Sequence, residues 1–452
     1  MYNISKLQQE YEKKLITAEQ AAAMVENDSR LYFGLGLGVV RDIDAALAKR
    51  VNDLRNVEIA TTVGVVSQPF QSYVESESNE NIRYASAHFN GFDRKMNKDG
   101  RCWYIPMLFN ELPSYWGHNG NNPDIAMFQV GPMDRYGNFN LGPQVSDIWG
   151  AVKASKKVIV EVNEKMPLAI GIESQINLAE VDFVVEGSNQ PMAELPSKAP
   201  SETDKKIAAH VVELIGSNST LQLGIGSLPG CIGTMLCESD VQNISCHTEM
   251  FVDAYADLYA AGKLTGDKAV DPGRAVYAFA GGTKKLYDFL DGNPFCCCAP
   301  VDYVNNQAVI AQMDNFISIN SCIQVDLFGQ VCSESAGYQQ ISGTGGQLDF
   351  VMGAYHSKGG KSFLCTPATR TLKDGSMESL IAPTLTPGSI VTTPRMATNY
   401  IVTEYGAVNL KGKSTWERAE LLISVAHPDF RDDLIKQAEK MGIWKNTSKV
   451  SF

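Results

Sequence analysis

LQLGIGSLPGCIGTMLCESDVQNISCHTEM, Leu221 to Met250, reads as one strand–turn–helix–strand unit that ends on a carboxylate. Leu221, Leu223 and Ile225 alternate as in a strand. Gly226, Pro229, Gly230 and Gly233 then break the pattern before Thr234 to Glu238 resumes as a helix. A glycine-rich turn between strand and helix aims backbone N–H groups at whatever lies above it, which makes an anion or oxyanion site. The next strand, Ile244 to His247, is short and apolar, as in a buried parallel sheet. It delivers Thr248-Glu249-Met250 at its carboxyl end, the edge where open α/β sheets bind ligands. Glu249 is therefore predicted to stand beside a set of N–H donors.

The same unit occurs earlier. Arg30 to Phe33 is a strand that runs into Gly34-Leu35-Gly36-Leu37-Gly38, and RDIDAALAK follows as a helix. An offset of 190 pairs Gly34 with Gly224 and Gly36 with Gly226, and an offset of 187 pairs Asn56 with Asn243, which sets Thr62 opposite Glu249. This pattern predicts an α/β protein of two similar open domains in tandem, each with a mainly parallel sheet flanked by helices. Only the second half carries the carboxylate. With 452 residues the chain exceeds what one core supports. The expected boundaries are an N-terminal domain over 1–190, a linker over 191–205 within the Pro-, Ser- and charge-rich run Gly187 to Lys205, and a C-terminal domain over 206–452. Further expected elements include a polar helix over Tyr2 to Lys14 and a helix capped by Thr17 with Gln20. Strands are expected over Ile125 to Val130, Lys157 to Val162, Ala179 to Val185, Arg274 to Phe279, Ile390 to Thr393 and Tyr400 to Thr403.

Composition narrows the function. Hydrophobic residues make up 44% and charged residues 20%, as in an ordinary globular protein, and the net charge of -12 argues against non-specific binding to nucleic acid or anionic membranes. No run of about 18 apolar residues is present and the N-terminus is polar, so a cytoplasmic location is expected. The ten cysteines form no spaced pair of pairs, Cys296-Cys297-Cys298 are consecutive, and the six histidines show no H-x-x-x-H spacing. Reduced thiols and no metal are expected.

At the end of a buried strand, Glu249 has two chemical roles open to it, general base or nucleophile toward a carbonyl, and the nucleophile suits a site with oxyanion donors. A structural role, capping the next helix or sitting in an ion pair, is equally open. Gly281-Gly282-Thr283-Lys284 and Gly343-Thr344-Gly345-Gly346 lack P-loop spacing. Gly34 to Gly38 misses G-x-G-x-x-G because Val39 stands at the last position. G-x-S-x-G is absent; a Ser227–His247 pair stays open beside a packed-core histidine. Several glycine turns in one α/β protein point to a long anionic ligand over strand ends.

The motifs VIVEVNEKMP (Val158 to Pro167), VEGSNQP (Val185 to Pro191), LQLGIGSLPG (Leu221 to Gly230), HTEMFVDA (His247 to Ala254) and SGTGGQLDFVMGA (Ser342 to Ala354), with the run from Thr403 to Leu434, resemble the class I CoA-transferases, in the branch of butyryl-CoA:acetate CoA-transferase, 4-hydroxybutyrate CoA-transferase and acetyl-CoA hydrolase. The resemblance implies two similar open α/β domains and Glu249 as nucleophile. It implies CoA and oxyanion contacts from Gly224, Gly226, Ser227, Leu228, Pro229, Gly230, Gly343, Gly345 and Gly346, with Lys358 in a segment near the CoA. It also implies an acyl pocket completed by Gly34, Leu35, Gly36, the region around His88, and Asn110. Similar proteins commonly carry Ser where this chain has Asn110, and a more glycine-rich form of Gly226-Ser227-Leu228-Pro229; both departures bear on acyl preference. The implied function is transfer of CoA between a short-chain acyl-CoA and a free carboxylic acid, butyryl-CoA with acetate first, by a ping-pong route through a glutamyl-CoA thioester. Thioester hydrolysis and a non-catalytic acyl-CoA-binding role are the alternatives. Coenzyme A enters as substrate, no metal or redox cofactor is implied, and a homo-oligomer, dimer or tetramer, is expected.

Overall fold

Local capping chemistry sets the first elements. In the computed structural model, which describes residues 4–65, 68–118 and 120–445, α1 (Ile4–Lys14) and a short β1 (Leu15–Ile16) lead into α2 (Ala18–Ala23). Tyr2 and Asn3 of the expected lead-in helix lie outside the described residues. Thr17 Oγ1 accepts from the Gln20 N–H at 3.2 Å, and Gln20 Oε1 accepts from the Thr17 N–H at 2.8 Å, the reciprocal box that the spacing predicts. The chain continues through β2 (Arg30–Tyr32), α3 (Asp42–Ala48), β3 (Val57–Thr61), β4 (Ile82–Ser86), β5 (Cys102–Tyr104), β6 (Ile125–Val130), β7 (Lys157–Val162) and β8 (Phe183–Glu186). The strand expected from Ala179 starts later, because Leu178–Glu180 is a 3-10 turn capped by Asn177. Next come α4 (Glu202–Glu213), β9 (Thr220–Leu223), α5 (Ser227–Glu238), β10 (Ser245–Phe251), α6 (Asp253–Ala260), β11 (Ala275–Ala280), β12 (Cys296–Cys298), β13 (Phe316–Ser321), α7 (Gln347–His356), β14 (Lys361–Cys365), β15 (Tyr400–Thr403) and β16 (Gly406–Asn409). The strand expected over Ile390 to Thr393 does not form. Only Thr393 bridges, to Val331, and Ile390 and Val391 stay exposed.

Two compact units result. The first takes the chain up to Pro196 together with Glu249–Phe251 and Ala275–Val304; the second takes Ser197–Thr248, Val252–Arg274 and the chain from Asn305 on. The first unit holds a parallel sheet in the order β1-β8-β7-β6-β2-β3-β4-β5 and a parallel β11–β12 pair. In the second unit the start of β10 (Ser245 to Thr248), β9, β13, β14 and β15 lie side by side in parallel, with β16 antiparallel at the edge. The runs β8-β7-β6-β2-β3 and β15-β14-β13-β9-β10 have the same topology, so the two halves are similar open α/β folds. Residue detail repeats as well. Asp28 and Asn218 both take left-handed φ, 63° and 61°, and Asn56 and Asn243 both take 57°. The Asn56 amide donates to Asp28 at 2.6 Å, and the Asn243 amide donates to Asn218 at 2.7 Å. These pairs keep the offsets of 190 and 187 found in the sequence.

Each unit has its own core. Leu31, Ile59, Met127 and Ile159 of the first sheet pack on Ile43 and Leu47 of α3, one helical turn apart. Val351 of α7, Leu364, Ile401, Leu422 and Ile423 form the second. Burying each such side chain contributes about 1.5–3 kcal/mol. None of the ten cysteines is in a disulfide; nine of them are buried and Cys237 is half-buried. Among the described residues no three His, Cys, Asp or Glu side chains are grouped to hold a metal ion, and no helix is long and apolar enough to cross a membrane.

Two features of the packing are open to test. A Cβ at Gly233 of α5 would lie 2.6 Å from the Ala254 Cβ of α6, so glycine sets how closely these helices approach. Gly233→Ala is expected to lower stability by about 1–3 kcal/mol, read from the denaturant midpoint; an unchanged midpoint would show that the helices have slack. Asp147 is fully buried and accepts from the Tyr32 hydroxyl at 3.2 Å and the Trp116 indole at 3.0 Å. Burial raises its carboxyl from the ordinary 3.8 to about 6. A raised carboxyl favours folding below the ordinary value and loses that contribution as pH rises through about 6. The melting temperature of the wild type minus that of Asp147→Asn should therefore fall as pH rises from 4 to 7.

Candidate active site

In the second unit the turn after β9 is built around one glycine conformation. Gly226 sits at φ 112°, ψ -173°, a region that essentially only glycine adopts, and its carbonyl accepts from Ser197 Oγ at 2.9 Å. The sequence predicts a helix from Thr234, but α5 starts at Ser227. Pro229 is tolerated in a first turn, and Gly230 and Gly233 serve packing against Ser197 and Ala254. Leu228 and Pro229 are buried, whereas Ile225 is exposed. Pro229 has no N–H, and the Gly230 N–H donates to Gly226 O at 3.2 Å. Between 226 and 230, only the N–H groups of Gly226, Ser227 and Leu228 are left to face a ligand. Ser227 Oγ donates to Asp204 Oδ2 at 3.1 Å, the carboxylate that caps α4 through Ser201. His247 is fully buried, edge-on to Phe316 with ring centroids 6.3 Å apart, so it is a packed core histidine.

The loop Ser342–Gly346 precedes α7, and its three glycines are buried, Gly345 with φ 55°. It is fastened by Glu334, a buried carboxylate that motif reading missed. Glu334 accepts from Thr344 Oγ1 at 3.3 Å, Thr392 Oγ1 at 2.9 Å and Gln340 Nε2 at 3.3 Å. Helices that return between parallel strands start at the carboxyl edge of the sheet, so α5 and α7 both point their N-termini at the edge to which β9 delivers Gly224. Lys358 is not brought there. It precedes β14 at the amino edge, exposed, 3.9 Å from Asp314.

In the first unit Gly34, Leu35 and Gly36 follow β2, His88 follows β4 and Asn110 follows β5, all past carboxyl ends. Gly34 takes φ 82°, and a Cβ there would meet Gly38 O at 2.3 Å. Gly36 donates to Val63 O at 2.9 Å and accepts from the Val65 N–H at 3.0 Å. Burial, aided by the charge of Arg94, lowers the His88 imidazole to about 4, so it is neutral at physiological pH. Glu249 belongs to this unit. The sequence ends its strand at His247, yet β10 runs to Phe251, with Glu249 half-buried between the buried Thr248 and Met250. Helix α6 starts at Asp253 with Val252 at its cap position, so Glu249 does not cap it. The Gly281 N–H donates to Phe251 O at 3.1 Å. A Cβ at Gly281 would lie 2.5 Å from Met250 Cε, 3.1 Å from Leu195 and 3.5 Å from Val65, which makes the surroundings of this segment apolar.

One buried carboxylate separates the two halves. Glu161 accepts from the Arg41 and Ile43 N–H groups, both at 2.9 Å, and from Gln129 Nε2 at 2.7 Å, filling the start of α3 from within. The registers Leu31↔Ile125↔Lys157 and Leu221↔Ile317↔Lys361 make Cys365 its counterpart, a buried thiol pushed up to about 12. The start of α3 is thus filled by an internal carboxylate, whereas the register counterpart in the second sheet is a thiol.

Gly226→Ala has open space for its Cβ and only backbone strain to bear. It is expected to lower stability by about 1–3 kcal/mol and to reduce turnover with it; a variant with wild-type melting and wild-type turnover would show that the turn has other conformations available.

Residues 1–196 match the model of the acetyl-CoA hydrolase/transferase N-terminal domain, and residues 282–438 match that of the C-terminal domain. A butyryl-CoA:acetate CoA-transferase of Anaerostipes caccae is 48% identical over 98% of this chain and 99% of its own. A 4-hydroxybutyrate coenzyme A transferase of Clostridium kluyveri is 40% identical over 95% and 98%. Among solved structures, RipA from Yersinia pestis superposes with a TM-score of 0.87 at 35% identity, covering 97% of this chain and 99% of RipA. The chain belongs to the acetyl-CoA hydrolase/transferase family.

Proposed function

We propose that this protein moves CoA between a short-chain acyl-CoA and a free carboxylate, with butyryl-CoA and acetate as the first pair, through a thioester on Glu249. CoA transfer itself rests on relatives 40–48% identical over nearly the whole chain. The observation that supports Glu249 as nucleophile is its position inside β10, half-buried, with apolar neighbours on Met250 and no capping duty on α6. A carboxylate in such surroundings loses part of its hydration, and water is kept from competing with the acceptor acid.

The steps balance without a redox partner. A Glu249 carboxylate oxygen attacks the acyl-CoA carbonyl carbon, the C–S bond breaks, and CoA thiolate leaves a mixed anhydride. The thiolate attacks the Glu249 carbonyl carbon of that anhydride, giving the Glu249–CoA thioester and the free acid. The acceptor carboxylate runs the same steps in reverse. In this reading Gly224 to Gly230 and the Gly343–Gly346 loop serve CoA and the oxyanion, and Gly34 to Gly36, His88 and Asn110 serve the acyl group. His88 contributes shape and a neutral hydrogen-bonding ring, since its lowered pKa removes it as a charge.

Intact-mass measurement of the protein after brief exposure to butyryl-CoA tests this. A CoA-sized adduct should appear, vanish on addition of acetate, and be absent in Glu249→Ala, whose transfer rate should fall by at least about 10³-fold. Release of free CoA without any carboxylate present would instead establish a hydrolase, and full activity in Glu249→Ala would remove the nucleophile assignment.

A further inference from the structure

Strand β9 presents alternate residues to its two neighbours. The Thr220 N–H donates to Asn315 O ahead of β13, and Ser219 O accepts from the Ser245 N–H of β10, so Ser219, Leu221 and Leu223 face β10. The β9–β10 register pairs Thr220 with Ser245 and Leu221 with Cys246. Continued in step, it would set Leu223 against Thr248.

Past those two pairs, side-chain hydroxyls enter the edge. The Leu223 N–H donates to the Tyr255 hydroxyl at 2.9 Å, and that hydroxyl donates to Leu221 O at 3.2 Å. Thr248 Oγ1 donates to Leu223 O at 3.4 Å. A regular parallel ladder would offer Leu221 O and Leu223 N–H to the backbone of a single β10 residue, His247. Here one phenolic oxygen bridges both. Tyr255 is fully buried in the first turn of α6, and the close Gly233–Ala254 packing brings that turn in. Burial holds its hydroxyl far above the ordinary phenol range, so it stays protonated and keeps donating and accepting at once.

We infer that Tyr255 is a positioning residue for Glu249, wedging the end of β9 against β10 through its hydroxyl so that Thr248, and with it the next residue, is keyed by side chains. This rests on the reading of Glu249 as nucleophile. The segment is also keyed on its far side, where the Gly281 N–H holds Phe251 O at 3.1 Å. With both flanks of Glu249 pinned, its backbone has little freedom to shift the origin from which the carboxylate reaches. Misplacement by about 1 Å can cost about 10²-fold in rate.

The test is the rate of CoA-adduct formation by rapid quench and intact mass, with the KM for butyryl-CoA and the melting temperature measured alongside. Tyr255→Phe should slow adduct formation by about 10- to 100-fold while KM stays within about threefold. Tyr84→Phe is the control for losing a buried hydroxyl in itself; that hydroxyl lies 2.8 Å from Ser72 Oγ in the core of the first unit, and its loss should lower melting without the specific slowing. A wild-type adduct rate in Tyr255→Phe, or changes that match those of Tyr84→Phe, would overturn the inference. If Tyr255→Phe does not fold, Thr248→Val against Thr248→Ser carries the question: the serine should retain more of the rate, and equal rates overturn it. Transfer that survives in Glu249→Ala would instead discard the nucleophile reading, whatever Tyr255 does.

Discussion

Backbone N–H and C=O groups withdrawn from water need partners, and at the carboxyl edge of a parallel sheet the ladder stops supplying them. This chain meets the requirement with side chains whose chemistry differs from place to place. Carboxylates close positions: Glu161 saturates the start of α3, and Glu334 gathers Thr344, Thr392 and Gln340 around the Gly343–Gly346 loop. Hydroxyls hold positions without adding charge: Ser197 on Gly226 O, Tyr255 on Leu221 and Leu223, Thr248 on Leu223 O.

The duplicated halves diverged along this line. They keep the same strand order and the same left-handed Asp/Asn positions. Where the second half has Glu249 the first has Thr62, fully buried, and where the first has Glu161 the second has Cys365. Two exchanges at corresponding places make one copy of the motif a closed structural element and give the other a thiol and a glutamate instead.

Much of this could be read from residue order. Turn glycines at equal offsets announced the repeat, and the asparagines at 56 and 243 marked corresponding turns that the structure gives one backbone conformation. Three readings failed for reasons of context. Gly230 and Gly233 look like helix breakers, but α5 passes through both because Ser197 and Ala254 occupy the space a side chain would need. Thr248-Glu249-Met250 looks like the start of a loop, yet β10 continues because Gly281 supplies a partner for Phe251. Ile390 to Thr393 has strand residues, but only Thr393 bridges to a neighbouring strand, at Val331. Tyr255 was beyond reach altogether: at position 255 the letter Y fits an apolar helix face, and only the meeting of α6 with β9 gives its hydroxyl two backbone partners.

The ten thiols carry a last consequence. Nine are shielded inside the two units, including all three of Cys296–Cys298 on β12. Thiolate, the form that alkylating reagents attack, is suppressed at Cys296 and Cys365, both pushed up to about 12 by burial. In the native protein, labelling of these groups has to wait for the chain to open. The cysteines thereby act as a built-in clock: the time course of their modification in native buffer reports the frequency with which each unit breathes, with Cys102 in the first sheet and Cys365 in the second as separate hands.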